Sequence, residues 1–269
     1  MQATQIEGFR LSPQQKRIWL LEKSQNVSLR VQGAVSIVGK LNIDVLKLAL
    51  QNLVERYEIF RTTFYRLPEM EVPLQAIADS YEIVITELNL QNLSEQEQES
   101  QINELFNRLN EISFDLADRP SIQAYIISLG SDKYILVLHL SALIADGYTL
   151  KHLLNKIGIY YSACLQGHKL DDEPLQYADI AEWQNQILES EESELGKEYW
   201  RKQDLTAVNN FDCWFENKTT KDSFQPQCIS LNIHSDLVKK IELLSSKYQV
   251  NNANILLSCW LIMLSKLTR

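Results

Sequence analysis

The residues best able to do chemistry lie close together, in the segment 139–148, where an apolar run gives way to a predicted helix. The segment holds an imidazole (His139), a hydroxyl (Ser141) and a carboxylate (Asp146). A serine acts as a nucleophile only with an adjacent base, and none is visible beside Ser141. We expect Asp146 to cap backbone N–H groups of the helix or to hold a buried cation, while Gly147 lets another backbone or a substrate approach closely.

The elements that must position this segment are those of a mixed α/β chain. Two apolar runs, 122–129 and 134–140, flank the turn residues 130–133 and predict a buried hairpin. Apolar residues recur at helical spacing after Asp146 and over 44–57, which predicts two helices with one apolar face each. Other predicted strands lie at 31–38, 61–66, 82–88 and 228–233, and other predicted helices at 94–112, 176–188, 190–202, 235–247 and 252–267, with a loop at 204–225.

Two of these helices have recognisable starts. Ser94 and Glu97 form a capping-box pattern, in which each side chain bonds the other residue's backbone N–H. Ser235 is a plausible N-cap for the helix that follows it.

Composition and charge exclude several classes of protein. The chain has 269 residues, of which 45% are hydrophobic, and this is enough for a sizeable core. With 26 basic against 35 acidic residues and no basic run, we expect no nucleic-acid partner and no affinity for anionic membranes. The apolar stretches are shorter than the roughly 20 residues of a membrane span, and the first residues lack the apolar core of a secretory signal.

The cysteines indicate reduced thiols rather than a metal site. They form no C-x-x-C pair, and their spacing fits no zinc module. The four are Cys164, Cys213, Cys228 and Cys259. We therefore predict a cytoplasmic protein with no metal and no cofactor.

Five segments resemble, in order, the motifs of the condensation domains of non-ribosomal peptide synthetases, which have the chloramphenicol acetyltransferase-like fold. The segments are Leu11–Trp19, Arg56–Phe64, Phe114–Leu116 with Pro120, Tyr177–Gln184 and Tyr199–Trp200. The second segment has Tyr57 where the motif has histidine. The resemblance implies an α/β fold with a condensation-type N-terminal lobe over 1–175, connecting helices over 176–202 and a partial C-terminal lobe over 203–269.

The chain departs from this family at the active-site motif, HHxxxDG. When Asp146 and Gly147 are aligned with its last two residues, the two histidines fall on Ser141 and Ala142. The resemblance assigns catalysis to the second histidine, and the methyl group of Ala142 cannot accept a proton. His139 lies about 10 Å back along the strand and is predicted to point to the opposite face.

Arg61 and Asp146 match the arginine and aspartate that pair in the family. The resemblance therefore implies a buried structural ion pair between them, and a buried pair resists loss because removing one partner strands a charge.

Together these features predict a non-catalytic, truncated pseudo-condensation domain. It would act as a scaffold or docking element beside a second domain of the same synthetase polypeptide, such as a tailoring domain. We expect no condensation activity, and none after histidines are restored at 141 and 142. One alternative is a fragment of a working domain that forms an amide bond between carrier-bound thioesters. Another is a platform that recruits a tailoring enzyme or a phosphopantetheinyl carrier protein. The sequence after Arg269 in the native polypeptide would discriminate between these hypotheses.

The last predicted helix is apolar nearly all round, which is typical of a helix that is covered on most sides. Only Ser258 interrupts the apolar run 255–264. We therefore predict that Trp260 and Met263 contribute to an interface with a neighbouring domain or a second copy of the chain. The alternative is that the loop at 204–225 folds over them.

Overall fold

The computed structural model describes residues 8–25, 27–168, 170, 173–204 and 231–267. Its strands are β1 (Gly8–Arg10), β2 (Arg30–Val38), β3 (Thr62–Tyr65), β4 (Leu74–Ile77), β5 (Val84–Asn89), β6 (Ile122–Ser128) and β7 (Lys133–Ser141). Its α-helices are α1 (Pro13–Gln25), α2 (Ile43–Arg56), α3 (Glu95–Glu111), α4 (Gly147–Gln166), α5 (Tyr177–Glu189), α6 (Ser193–Arg201), α7 (Ser235–Tyr248) and α8 (Asn252–Leu267). A short 3-10 helix spans Glu58–Arg61. The predicted α/β class is confirmed.

A four-stranded sheet in the order β2-β7-β6-β5 carries the segment with the candidate residues. The predicted hairpin is present as β6 and β7, which pair antiparallel with Ile122 opposite Leu140. Strand β2 pairs antiparallel with the other edge of β7, so that Arg30 lies opposite Ser141. Strand β5 runs parallel to β6, and the connection between them contains α3. Strand β7 is therefore an inner strand, and its last residue, Ser141, lies between β2 and the start of β6.

The two faces of this sheet are covered by different helices, because successive side chains of a strand point to opposite faces. On one face Leu136, Leu138 and Leu140 join a core with buried residues of α2 and α4. On the other face Val137 packs with Leu105 and other buried residues of α3. The capping box predicted at Ser94 and Glu97 starts α3 and is confirmed.

Helix α4 lies very close to β2. A Cβ atom added at Gly33 would collide with the side chain of Leu150. The absence of a side chain at residue 33 thus allows α4 to approach the sheet.

A second sheet has the order β1-β4-β3 and is antiparallel throughout. Its strand β3 was predicted at 61–66, whereas β1 and β4 were not predicted. The backbone N–H of Phe64 in β3 donates to the carbonyl of Leu116 (2.7 Å), which joins the second and third motif segments.

The chain divides into two units, residues 1–193 and 194–269. The first unit therefore extends beyond residue 175 and includes α5, which contacts β1, the 3-10 helix and α1. In the second unit α7 and α8 pack against each other, and no described residue of this unit is buried.

The region around the start of the second unit differs from its prediction at α7 and lies partly outside the described residues. The strand predicted at 228–233 lies outside the described residues up to 230, and residues 231–233 form no strand. The loop predicted at 204–225 lies outside them except for residue 204. The N-cap of α7 is His234 rather than Ser235, which is the first helical residue.

Candidate functional site

Residues 142–146 form the loop that joins β7 to α4, and its start is held by neighbouring backbone. The N–H of Ser141 donates to the carbonyl of Ser121 (3.1 Å), and the N–H of Ala142 donates to the carbonyl of Leu29 (2.9 Å). The loop therefore begins as a continuation of the sheet.

The Ser141 hydroxyl is part of the turn and not a poised nucleophile. The residue is only 1% exposed, and its Oγ accepts from the N–H of Leu143 (3.2 Å). Its carbonyl accepts from the N–H groups of Ile144 and Ala145 (3.1 and 3.2 Å). Within the described residues no base is hydrogen-bonded to this hydroxyl, as a serine nucleophile requires.

The Asp146 carboxylate caps α4. Its Oδ1 accepts from the N–H and the hydroxyl of Thr149 (2.7 and 2.8 Å), and these bonds, the backbone one first, lower the pKa of the Asp146 carboxyl. Of the two roles predicted for Asp146, the structure shows the cap. Such a cap is typically worth about 1 kcal/mol.

The buried ion pair predicted between Arg61 and Asp146 is wrong for this structure. Asp146 is exposed, and the Arg61 guanidinium instead donates to the carbonyl of Ala78 and lies 3.3 Å from a carboxylate oxygen of Glu58. Arg61 and Glu58 lie in the same 3-10 helix, so a local acid takes the place of the predicted partner. Sequence alignment could not show this exchange, because it depends on which carboxylate the folded arginine reaches.

His139 is a core residue. It is fully buried, its Nδ1 is 3.4 Å from Oε1 of Gln123, and its ring lies 4.6 Å from that of Phe114. Burial, assisted by the nearby Arg30 guanidinium, lowers its pKa to about 4. His139 is therefore neutral at physiological pH and enclosed by protein.

The first motif segment holds the loop through a glutamine that sequence reasoning missed. Ser12 and Gln15 form a capping box at the start of α1: the N–H of Ser12 donates to Gln15 Oε1 (2.9 Å), and the N–H of Gln15 donates to Ser12 Oγ (3.1 Å). The amide nitrogen of Gln15 donates to the carbonyl of Leu143 (3.1 Å) and to Oε1 of Gln75 (2.9 Å). The Ser-x-x-Gln pattern would have revealed the cap, whereas the bond to Leu143 depends on the tertiary fold.

The fourth motif segment fastens α5 to the same region. The hydroxyls of Tyr177 and Ser12 are 2.8 Å apart. The Glu182 carboxylate accepts from the backbone N–H and the guanidinium of Arg10 (2.6 and 2.9 Å), and these bonds lower the pKa of Glu182. Tyr177 and Glu182 of this segment thus have structural partners.

A groove of about 480 Å³ lies beside the capped end of α4. It is bounded by Asp146 at the N-cap of α4, by His152 on α4 and by Tyr57 at the end of α2. Its other lining residues are Leu53, Ile59, Phe60, Tyr148, Thr149, Leu153 and Lys156. Tyr57, which stands at a histidine position of the family motif, therefore lies in the same groove as the aspartate of the active-site motif.

Two kinds of feature are absent from the part of the chain that the structure describes. It contains no cluster of three histidine, cysteine or acidic side chains arranged to hold a metal ion. None of its helices has the length and apolar content of a membrane span. Cys164 and Cys259 are free thiols, while the other two cysteines lie outside the described residues.

The fold and the loop define a condensation-type domain, and comparison with known proteins agrees. The family model described as "Condensation domain" matches residues 6–269. The chain belongs to the condensation-domain family.

The curated relatives are much larger synthetases. The chain is 34% identical over 71% of its length to the dimodular nonribosomal peptide synthase of Bacillus subtilis, of which it covers 8%. Similarity to tyrocidine synthase 3 of Brevibacillus parabrevis extends over 97% of the chain at 26% identity and covers 4% of that protein. Bacitracin synthase 1 of Bacillus licheniformis is likewise 26% identical over 97% of the chain, which covers 5% of it.

Solved structures confirm the fold. The first condensation domain of the calcium-dependent antibiotic synthetase matches 97% of this chain with a TM-score of 0.80 at 16% identity, and the chain spans 62% of that structure. The X-domain of teicoplanin biosynthesis, solved in complex with OxyB, matches 74% of this chain with a TM-score of 0.60 at 23% identity, and 44% of that structure is covered.

Proposed function

We propose that this chain is a non-catalytic condensation-type domain of a non-ribosomal peptide synthetase. It serves as a scaffold or docking element beside a second domain of that synthetase, such as a tailoring domain. One observation carries the proposal: the loop of the active-site motif keeps an ordered backbone and an aspartate cap, while Ala142 stands where the catalytic histidine is expected. The nearest histidine in sequence, His139, is buried and neutral. A domain that is retained for binding and not for catalysis would keep this loop intact and lack the base.

The size of the missing contribution supports this proposal. A general base typically accelerates a reaction by about 10²–10⁴-fold, or about 3–5 kcal/mol of barrier. A thioester is already activated, so the loss of the base alone leaves slow chemistry possible. The positioning of two reactants is worth more than the base. The proposal therefore requires that this chain also lacks the positioning contribution, and the assay below tests that requirement.

The test is a condensation assay with donor and acceptor thioesters bound to phosphopantetheinyl carrier proteins. We expect peptide formation no faster than the uncatalysed aminolysis, measured with the same carriers and no added chain. The variant Ser141→His/Ala142→His is expected to remain inactive, because a base does not supply the positioning of both thioesters. Turnover by the parent chain above the background would refute the proposal and support the alternative, a working domain that forms an amide bond between carrier-bound thioesters.

A second candidate function is a recruitment platform for a tailoring enzyme or a carrier protein. The fold likeness to an X-domain solved with OxyB favours it, as do the exposed apolar side chains of α8, including Trp260 and Met263. The partner would be either the neighbouring domain of the same polypeptide or a separate protein of the same assembly line.

A further inference from the structure

We propose that Gln15 is a positioning residue for the loop 142–146, and that its side-chain amide helps to fix the path of that loop. Gln15 would do so through the carbonyl of Leu143, within the connection between β7 and α4. The inference does not depend on the proposed function, because it holds whether or not the loop takes part in catalysis.

The geometry of Gln15 supports this role. The residue is only 3% exposed, and both the oxygen and the nitrogen of its amide are hydrogen-bonded. Its oxygen accepts from the N–H of Ser12, and its nitrogen donates to Leu143 O and to Gln75 Oε1. A buried amide with these partners satisfied adopts one orientation, because any rotation leaves a buried polar group unpaired.

The partners of Gln15 are themselves fixed. Gln75 is 1% exposed, lies in β4, and donates from its own amide to the carbonyl of Arg10 in β1 (2.9 Å). Ser12 is fully buried and is bonded to the hydroxyl of Tyr177 on α5. The Leu143 carbonyl is therefore tied, through side chains, to the smaller sheet and to two helices. A loop held from outside in this way needs no histidine to keep its shape.

The substitution Gln15→Glu separates the two tasks of this residue. Glutamate is also a capping-box residue, so the bond from the N–H of Ser12 and the start of α1 are preserved. The second carboxylate oxygen replaces the amide nitrogen and meets the Leu143 carbonyl, which is an acceptor. Even if Gln75 turned its amide to donate to the new carboxylate, Leu143 O would remain without its donor.

The experiment measures amide hydrogen exchange in the full chain, as protection factors corrected for intrinsic exchange. The reporters are the N–H groups of Ile144 and Ala145, which bond within the loop, and the references are those of Val137 and Leu138 in β7. We expect Gln15→Glu to lower protection at the reporters at least about fivefold at neutral pH, the effect of one lost hydrogen bond, without changing the references. Gln15→Leu, which also loses the cap, should lower reporter protection by more.

Protonation gives a signature that a merely structural role would not produce. Once protonated, the carboxyl group introduced by Gln15→Glu has an O–H that can donate to Leu143 O. Reporter protection in Gln15→Glu should therefore recover as the pH falls, whereas that in Gln15→Leu should not. The matched control is Gln176→Leu. Gln176 also bridges two segments, accepting from the N–H of Glu58 (3.0 Å) and donating to the carbonyl of Arg56 (3.1 Å), at a different place in the fold.

The outcomes distinguish the two possibilities. Loss of protection confined to the reporters, absent from Gln176→Leu and reversed at low pH in Gln15→Glu, establishes the positioning role. Unchanged reporters, or equal losses at reporters and references, overturn it. If Gln15→Leu fails to fold, the pH profile of Gln15→Glu decides the question, because that variant keeps the cap of α1.

Discussion

The two units of this chain use apolar residues in opposite ways. In the first unit the leucines of β7, such as Leu138, are enclosed between the sheet and the helices α2 and α4. In the second unit α8 has a more apolar composition than α2, yet most of its large side chains are exposed. Leu256, Leu257, Trp260, Leu261, Ile262 and Met263 are each between 41% and 59% exposed.

This difference shows that the apolar content of a helix does not decide whether it is buried. Helix α2 packs against α4, and its apolar face is buried in the core that the two helices share with the sheet. Helix α8 is apolar on most sides and packs against α7, which covers only part of the surface of α8. The remaining surface is available to a partner, which is the basis of the docking proposal.

The largest expected effect compares one leucine from each unit. Leu138→Ala removes a fully buried side chain and leaves a cavity, so it should lower the free energy of unfolding by about 2–5 kcal/mol. Leu261→Ala removes the same atoms from a residue that is 56% exposed, and it should cost less than about 1 kcal/mol. Urea unfolding of both variants and the parent makes the measurement. Equal losses for the two leucines would contradict the contrast between the units.

The sequence allowed most of the first unit to be predicted, because its long elements repeat with a clear period. The hairpin of β6 and β7, the helix α2 and the capping box at Ser94 all appear where their patterns placed them. The strands β1 and β4 were not predicted, although β3, which has four residues like β4, was. The second unit shows the limit of periodicity more clearly: the apolar pattern predicted α8 correctly, but no pattern states which neighbour covers it.

The backbone of the candidate site could be predicted from the sequence, whereas the hydrogen-bond and ion-pair partners of its side chains could not. The start of α4 and its Asp146 cap follow from local sequence. The partner of Arg61 and the bond from Gln15 to Leu143 depend on which groups the folded chain brings within a few ångströms of each other. Motif resemblance assigns such pairs by analogy, and Arg61 shows that the analogy can fail.

The second test compares how the free energy of unfolding depends on pH in variants of one histidine from each unit. The pKa of His139 in the folded chain is lowered to about 4 from the ordinary 6.5. Its contribution to stability is therefore complete above pH 6.5 and is lost as the pH falls towards 4, where the unfolded chain binds a proton that the folded chain does not. The loss should reach about 3 kcal/mol.

The measurement is the free energy of unfolding between pH 7 and pH 4. His139→Gln should show a shallower decline than the parent, because it lacks the titrating group. The control is His234→Gln, whose parent side chain is 83% exposed, and it should follow the parent curve. A parallel decline in His139→Gln and the parent would show that another group causes the acid sensitivity.

The smallest expected change in stability is at α8, where the comparison becomes a test of function. Trp260 and Met263 are 55% and 41% exposed, so the variant Trp260→Glu/Met263→Glu should unfold within about 1 kcal/mol of the parent. A charged side chain in a docking surface is costly only when the partner removes it from water. The double variant should therefore bind the neighbouring domain of the synthetase at least about tenfold more weakly, measured by calorimetry with that domain as the titrant.

The control is Leu48→Glu, at an exposed position of α2 in the first unit, which should bind like the parent. Unfolding of the double variant would assign these residues to a core, and unchanged binding would move the docking surface away from α8.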